Sequence, residues 1–408
     1  MKNLLVAQSG GPSSAINATL AGVCQYALTN ENVGRIYGAK HGIVGVLEKD
    51  LVEIGETLKS HDNLERLVHT PASALGSCRF KLKNPLEDPA QYKQIFETFK
   101  EFNIGYFVYI GGNDSMDTVH KLSEYAKENN YEDIFIMGAP KTIDNDLMGM
   151  CHSPGYASAA KYIAQTVAEI WQDMKVYSMK QVIILEIMGR HTGWLTASAS
   201  YATKSYDIPS LIYLPEVHFN DEKFIADVNK KLENSNAVLV CVSEGVMYEN
   251  GVFVSESAEN SETDAFGHKK LTGTAKSLEN IVKNKIGCKT RAIEFSLIQR
   301  CAAHLASSID LSESKLLGMI SAQKAIEGVS GMVPVLNRIS NNPYKVEYSC
   351  VKSNTIAGNE KFFPKNWINA EGNGVTNDFI EYVRPLIGGD KDEKAGTFLG
   401  QSKFLDLF

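Results

Sequence analysis

Short runs of β-branched and aromatic residues alternate with stretches of helical periodicity along most of this chain. That alternation constrains the fold more than any other feature. Strand candidates are 4–7, 35–38, 106–110, 134–137, 182–187, 210–214 and 237–242, and helical candidates are 14–28, 89–102, 116–129, 156–174, 221–232 and 271–285. In 89–102 the apolar Tyr92, Ile95, Phe96, Phe99 and Phe102 recur at three- and four-residue spacing, so one face is buried core. The expected class is α/β, with largely parallel sheets in three-layer, Rossmann-like lobes.

Length sets the domain count. At about 150 residues per domain, the 408 residues give between two and three domains. The strand series resumes after Tyr156 as a second set, so two lobes are expected with a tail added. The segment 328–367 carries Pro334, Pro343 and Pro364 and reads as irregular or edge structure, and 388–396 reads as a loop. A net charge of −7 argues against nucleic acid and anionic membranes as partners, while leaving room for a small anion. Seven cysteines without CxxC or zinc-like spacing suit a reduced compartment. The start, MKNLLVAQSGG, is too short for a signal segment, and no apolar run reaches the ~18 residues of a membrane span. The expectation is a soluble, cytoplasmic protein.

Three glycine turns follow strands and open helices. The first is Gln8-Ser9-Gly10-Gly11-Pro12-Ser13-Ser14, the second Ile110-Gly111-Gly112-Asn113-Asp114-Ser115, and the third Ile187-Met188-Gly189-Arg190-His191-Thr192-Gly193. Glycine permits a tight turn, and backbone N–H groups at a helix start can receive a phosphate. Each turn alone could equally be an ordinary βα connection. Neither GxxxxGK[ST] nor GxGxxG occurs, which disfavours a P-loop NTPase and a dinucleotide site. A fourth element, Lys141-Thr142-Ile143-Asp144-Asn145-Asp146, follows the strand at 134–137, and ligands of open α/β sheets bind beyond the carboxyl ends of strands.

With these motifs the chain resembles the phosphofructokinases. The resemblance runs from Leu4 to about Gly331, in family order: Gly10-Gly11, Gly76-Ser77-Cys78-Arg79, Gly111-Gly112-Asn113-Asp114-Ser115, Thr142-Ile143-Asp144-Asn145-Asp146, Met188-Gly189-Arg190, Ser243-Glu244-Gly245, then Arg291 with Gln299-Arg300. It implies a donor-binding lobe over 1–155 with about 300–330, a sugar-phosphate lobe over 156–299, and an extension over 331–408 packing on the lobes. Asp144 resembles the base that takes the proton of the sugar 1-hydroxyl, and Thr142, Ile143 and Asp146 around it match substrate contacts. Gly10, Gly11, Arg79, Gly112, Asn113 and Ser115 match donor contacts. Met188, Gly189, Glu244, Arg291 and Arg300 match sugar-phosphate contacts, and Arg190 both a contact and a charge stabiliser. In ATP-using relatives one such arginine comes from a neighbouring subunit, which implies a homodimer or homotetramer. The implied cofactor is Mg²⁺.

Two positions separate donor classes. This chain has Asp114 and Lys141 where ATP-using members resemble glycine, and both match the pyrophosphate-dependent branch. A carboxylate ~4 Å from an α-phosphate charge costs about 4 kcal/mol at an effective dielectric of 20, roughly a thousandfold in affinity. Lys141 supplies a cation to a donor that lacks adenosine contacts. The expected reaction is therefore Mg-dependent, reversible transfer from pyrophosphate to fructose 6-phosphate, giving fructose 1,6-bisphosphate. Its rivals are an ATP-dependent 6-phosphofructokinase and a non-catalytic sugar-phosphate-binding regulatory subunit; the latter should have lost the base or donor residues kept here.

Three departures remodel the expected site. Asn113 stands where the family places a magnesium-associated aspartate, so it is expected as a metal ligand through its amide oxygen only. Leu297 replaces a histidine, and Gln181 a second phosphate arginine.

Overall fold

The computed structural model describes residues 1–257, 273–388, 397–398 and 401–402. Two principal sheets are built from β1 (Lys2–Gln8), β2 (Val33–Ala39), β3 (Leu51–Glu53), β4 (Ile104–Gly111), β5 (Phe135–Pro140), β6 (Gln181–Ile187), β7 (Ser210–Tyr213), β8 (Ala237–Ser243), β9 (Lys289–Glu294), β10 (Met332–Asn341) and β11 (Tyr344–Lys352). The chain divides into two compact units. Unit 1 holds Met1–Ser158, Arg300–Ser340 and Lys345–Glu360; unit 2 holds Ala159–Gln299, Asn341–Tyr344 and the described residues from Lys361 onward.

The sheet of unit 1 has the order β11-β10-β5-β4-β1-β2-β3. Its central strands β2, β1, β4 and β5 pair in parallel, and β3 runs antiparallel to β2. Side chains alternate between the two faces of a strand, and here the alternation sorts them into two cores. Leu5, Ala7, Phe107 and Tyr109 join the core that receives helix Pro89–Glu101 through Tyr92, Ile95, Phe96 and Phe99. Leu4, Val6, Val108 and Ile110 join the opposite core, with helices Ile16–Leu28 and Ser308–Ile326. Helix Pro89–Glu101 begins where the Asp88 side chain accepts from Gln91 N at 3.4 Å, with a proline in its first turn.

The sheet of unit 2 is four parallel strands in the order β7-β8-β6-β9. Central β6 and β8 are buried along their whole length, as expected for strands covered on both faces. Their neighbours include Phe224 and Val228 from helix Asp221–Leu232 and Leu278 and Val282 from helix Thr274–Lys285. Edge strand β9 was not legible as a strand. Its exposed Lys289, Arg291 and Glu294 break the apolar pattern, and charge on an edge discourages pairing with another chain.

The segment 328–367 is more ordered than its prolines suggest. Strands β10 and β11, joined through 342–343, form the edge of the first sheet, so the edge reading holds for 332–352, while 357–364 is irregular. Met332 pairs with Met137, and Pro334 lies just beyond that pair, where a missing N–H interrupts no further ladder bond to β5. Residues 361–387 close over helix Trp194–Ser205: Trp194 packs edge-on against Phe363 and Trp367 and donates through Nε1 to Lys361 O at 2.9 Å. Beyond Gly388, the loop expected at 388–396 lies outside the described residues, as does the start of the 271–285 helix before Gly273. No described helix is long and apolar enough to cross a membrane, and all seven cysteines are free thiols.

Candidate active site

In unit 1 the motif loops all leave the carboxyl ends of adjacent parallel strands. Pairing of β1 with β4 and of β4 with β5 brings the ends Gln8, Ile110, Gly111 and Pro140 side by side. The first loop turns at Gly10, whose φ of +74° suits glycine, and its N–H donates to Cys78 O at 3.2 Å. That bond sets the Arg79 stretch beside Gly10-Gly11. The second loop is bolted to the first by Ser9 Oγ and Ser115 Oγ, 2.5 Å apart.

Lys141 is only 2% exposed, and its ammonium donates to Gly11 O at 2.6 Å. Burial pulls its pKa down to about 8; Asp144 and Asp146 oppose the shift, while Arg300 and Arg79 add to it. Those five charged groups therefore share one electrostatic neighbourhood around the first loop. Asp144 sits in a short polar turn: Thr142 Oγ1 donates to its Oδ2 at 3.3 Å and accepts its backbone N–H at 3.2 Å. Asn145, with a φ of +57° and fully buried, accepts from Ser153 N at 2.9 Å, and Ile143 is buried beside it.

The stretch after this turn is anchored from helix Ser308–Ile326. Asp310 accepts from Gly155 N, Ser158 N and Ser158 Oγ at 2.8, 3.0 and 2.5 Å. Buried His152 contacts Glu313 at 2.6 Å and Cys151 Sγ at 3.0 Å. Burial alone would lower the His152 pKa, but these two partners outweigh it and hold it at about 9, so the imidazole is cationic at neutral pH. Sequence reading missed this anchor, because its halves lie some 150 residues apart.

Arg300, expected at the sugar phosphate, belongs to unit 1, and a Cβ built on Gly11 would stand 3.1 Å from its Nη1. Burial and Arg79 lower its pKa, consistent with a cation packed among cations at the donor loop. Asn113, the expected metal ligand, is gripped by backbone. Its Nδ2 donates to Ile356 O and Asn359 O at 3.1 and 2.6 Å, and its Oδ1 accepts from Gly358 N at 2.7 Å. Gly112 precedes it as N-cap of helix Asn113–Glu128, and Asp114 is exposed in the first turn.

Unit 2 carries the remaining candidates. Met188-Gly189-Arg190 leaves the carboxyl end of β6, and Ser243-Glu244-Gly245 that of the neighbouring β8. The two turns interlock. Glu244 N donates to Ile187 O at 2.9 Å, Gly245 N to Gly189 O at 3.2 Å, and Gly189 N to Glu244 Oε1 at 3.4 Å. Gly245 has no room for a side chain, since a Cβ there would stand 1.8 Å from Arg190 O. Met188 N donates to Gln299 Oε1 at 3.2 Å, and the Arg190 guanidinium lies 5.8 Å from the centre of the Phe253 ring. Arg291 is exposed on edge strand β9, and Leu297 is 55% exposed. Gln181 opens β6, about 20 Å from Ile187 at ~3.3 Å per residue, and its amide donates to Met174 O at 2.7 Å.

Comparisons with known proteins converge. The family profile described as Phosphofructokinase matches residues 3–323. A pyrophosphate--fructose 6-phosphate 1-phosphotransferase of Xanthomonas campestris is 37% identical over 408 aligned positions, covering 99% of this chain and 96% of its own. Its counterpart from Halomonas elongata is 36% identical, covering 95% and 92%. The solved structure of a pyrophosphate-dependent phosphofructokinase from Nitrosospira multiformis superposes with a TM-score of 0.85 at 35% identity, covering 95% of this chain and 92% of that one.

Proposed function

The chain belongs to the phosphofructokinase family, and we propose on that premise that it transfers a phosphoryl group from pyrophosphate to the 1-hydroxyl of fructose 6-phosphate. The products are fructose 1,6-bisphosphate and phosphate. Buried Lys141 carries this reading: its ammonium is seated on the carbonyl of the donor-loop residue Gly11. A cation held there suits a small, highly charged donor and replaces contacts that a nucleotide would make through adenosine.

Asp144 accepts the proton of the sugar 1-hydroxyl as that oxygen bonds to phosphorus, and the bond to the departing phosphate breaks. An ordinary aspartate is already ionised at neutral pH and needs no tuning for this role. Phosphoryl transfer passes through a loose transition state, so the protein's work is positioning and charge stabilisation. Lys141, Arg79 and Arg300 supply positive charge at the donor loop, and Asp114 disfavours an α-phosphate. In unit 2, Met188, Gly189, Arg190, Glu244 and Arg291 take the sugar phosphate. With no nucleotide consumed, the reaction runs in both directions.

Mg²⁺ is the cofactor that family membership implies. Among the described residues no three carboxylate, imidazole or thiol groups surround a common point. Mg²⁺ needs no such cluster, because it keeps its waters and is usually bound through one or two carboxylates plus phosphate oxygens. A carboxylate of the 144–146 turn would be one of these, and the ion would neutralise charge on the transferring group. The exposed Arg291 on an edge strand suits service to a neighbouring subunit, and so a homodimer or homotetramer. The chemistry and the cysteine state suit the cytoplasm.

The test is a coupled assay for fructose 1,6-bisphosphate with pyrophosphate and ATP supplied separately at equal concentration, with and without chelator. Product from pyrophosphate alone is expected, lost on chelation. Turnover with ATP at an equal or higher rate would overturn the donor assignment.

A further inference from the structure

The first turn of helix Asn113–Glu128 carries three polar side chains in a row, and each has a different fate. Successive helical residues point about 100° apart, so the three face three directions. Ser115 Oγ meets Ser9 Oγ on the first donor loop. Asn113 grips the backbone of 356–359 with all of its amide hydrogen-bonding directions but one lone pair. Asp114, between them, is exposed.

The segment gripped by Asn113 is itself fixed. Ile356 is fully buried in the core that also holds Leu147 and Met150. The Asn359 side chain donates to Thr355 O and Ala357 O at 3.2 and 3.3 Å, which rounds the strand exit after β11 into a strap. The strap thus clamps the helix start from one side while Ser9 clamps it from the other. Asparagine is the residue this clamp needs. An aspartate would set carboxylate oxygens against the carbonyls of Ile356 and Asn359, having no N–H to offer them.

We propose that Asn113 is a positioning residue for donor selection: locked to the 356–359 strap, it holds the first helical turn so that Asp114 stays where it rejects a nucleotide. The proposal rests on the pyrophosphate reading above. It also explains why the chain uses an amide at a position where its family places an acid.

The test uses the full-length protein with Asn113→Ala and Asn113→Asp, and with Asn359→Ala, which loosens the strap without touching the helix. Two quantities are read: hydrogen exchange of the peptide containing the Gly358 amide, and kcat/KM for pyrophosphate relative to ATP. All three variants should exchange at least tenfold faster at Gly358. The pyrophosphate-to-ATP ratio should fall about tenfold while KM for fructose 6-phosphate holds. Faster exchange with an unchanged ratio overturns the proposal, as does unchanged exchange in Asn113→Ala. A general folding defect would lower both donors' rates together and raise exchange across unit 1. In that case the milder Asn359→Ala decides by the same criteria. If the unsubstituted protein prefers ATP, the functional reading fails instead, and the exchange measurement alone still reports on the clamp.

Discussion

The Lys141 ammonium donates to the carbonyl oxygen of Gly11 at 2.6 Å, tying the residue that precedes the Asp144 turn to the glycine loop 130 residues earlier. The contact sets a buried cation against the backbone that the proposed function gives to the donor phosphate. It also makes the charge conditional, because burial has drawn the ammonium's pKa down to about 8.

Pyrophosphate turnover should therefore fall as pH rises through about 8, as Lys141 loses its proton. Stability should move the other way. The unfolded chain protonates this lysine up to its ordinary range near 10.4, so between about pH 8 and that value the unfolded state binds more protons and stability rises with pH. Lys141→Met should remove both effects. The readouts are kcat/KM for pyrophosphate and melting temperature across pH 7–10.

Changing Asp114 and Lys141 together to glycine should lower pyrophosphate kcat/KM by at least a hundredfold and admit measurable ATP use. Removing one carboxylate repulsion is worth about 4 kcal/mol at most. A double variant with full pyrophosphate activity would contradict the donor argument. Steady-state kinetics with both donors decides it.

Asp144→Ser should reduce kcat by 10²–10⁴, the usual range for loss of a general base. KM for fructose 6-phosphate should change little, since the proposed function gives the sugar phosphate to the Met188–Arg190 and Ser243–Gly245 turns. Circular dichroism should stay native, because Asp144 is only half-buried and its turn is also held by Asn145 and Ser153.

Gly245→Ala should act on the other substrate. A Cβ 1.8 Å from Arg190 O must displace the Arg190 turn. KM for fructose 6-phosphate should rise at least tenfold, while the KM for pyrophosphate moves less than threefold. An equal rise in both would point to general destabilisation, which a melting curve would reveal.

Much of this was legible in the chain itself. The alternating pattern located most strands of both sheets within a few residues, because a strand buried on both faces must be a continuous apolar run. The Asp144 and Met188 turns could be read from glycine and acid spacing, since those residues serve the backbone locally, whereas the Ser243 turn came from the family resemblance. Strands β3 and β9 were not legible, and the β10–β11 hairpin only as edge structure. Edge strands carry charge and proline, and what makes them strands is the neighbour they pair with.

The sequence alone determined which chemical groups are present and that they stand at strand ends: Asp144, Lys141, the paired glycines and the interlocked Met188 and Ser243 turns. Only the tertiary structure decided how some of them are used. It set Arg300 beside Gly11 of the first glycine loop. It also made Asn113 the grip on a strap 245 residues away. The reason is physical: local periodicity encodes which way a side chain points relative to its own helix or strand. What it meets there depends on a distant backbone brought up by core packing, and no short-range pattern records that.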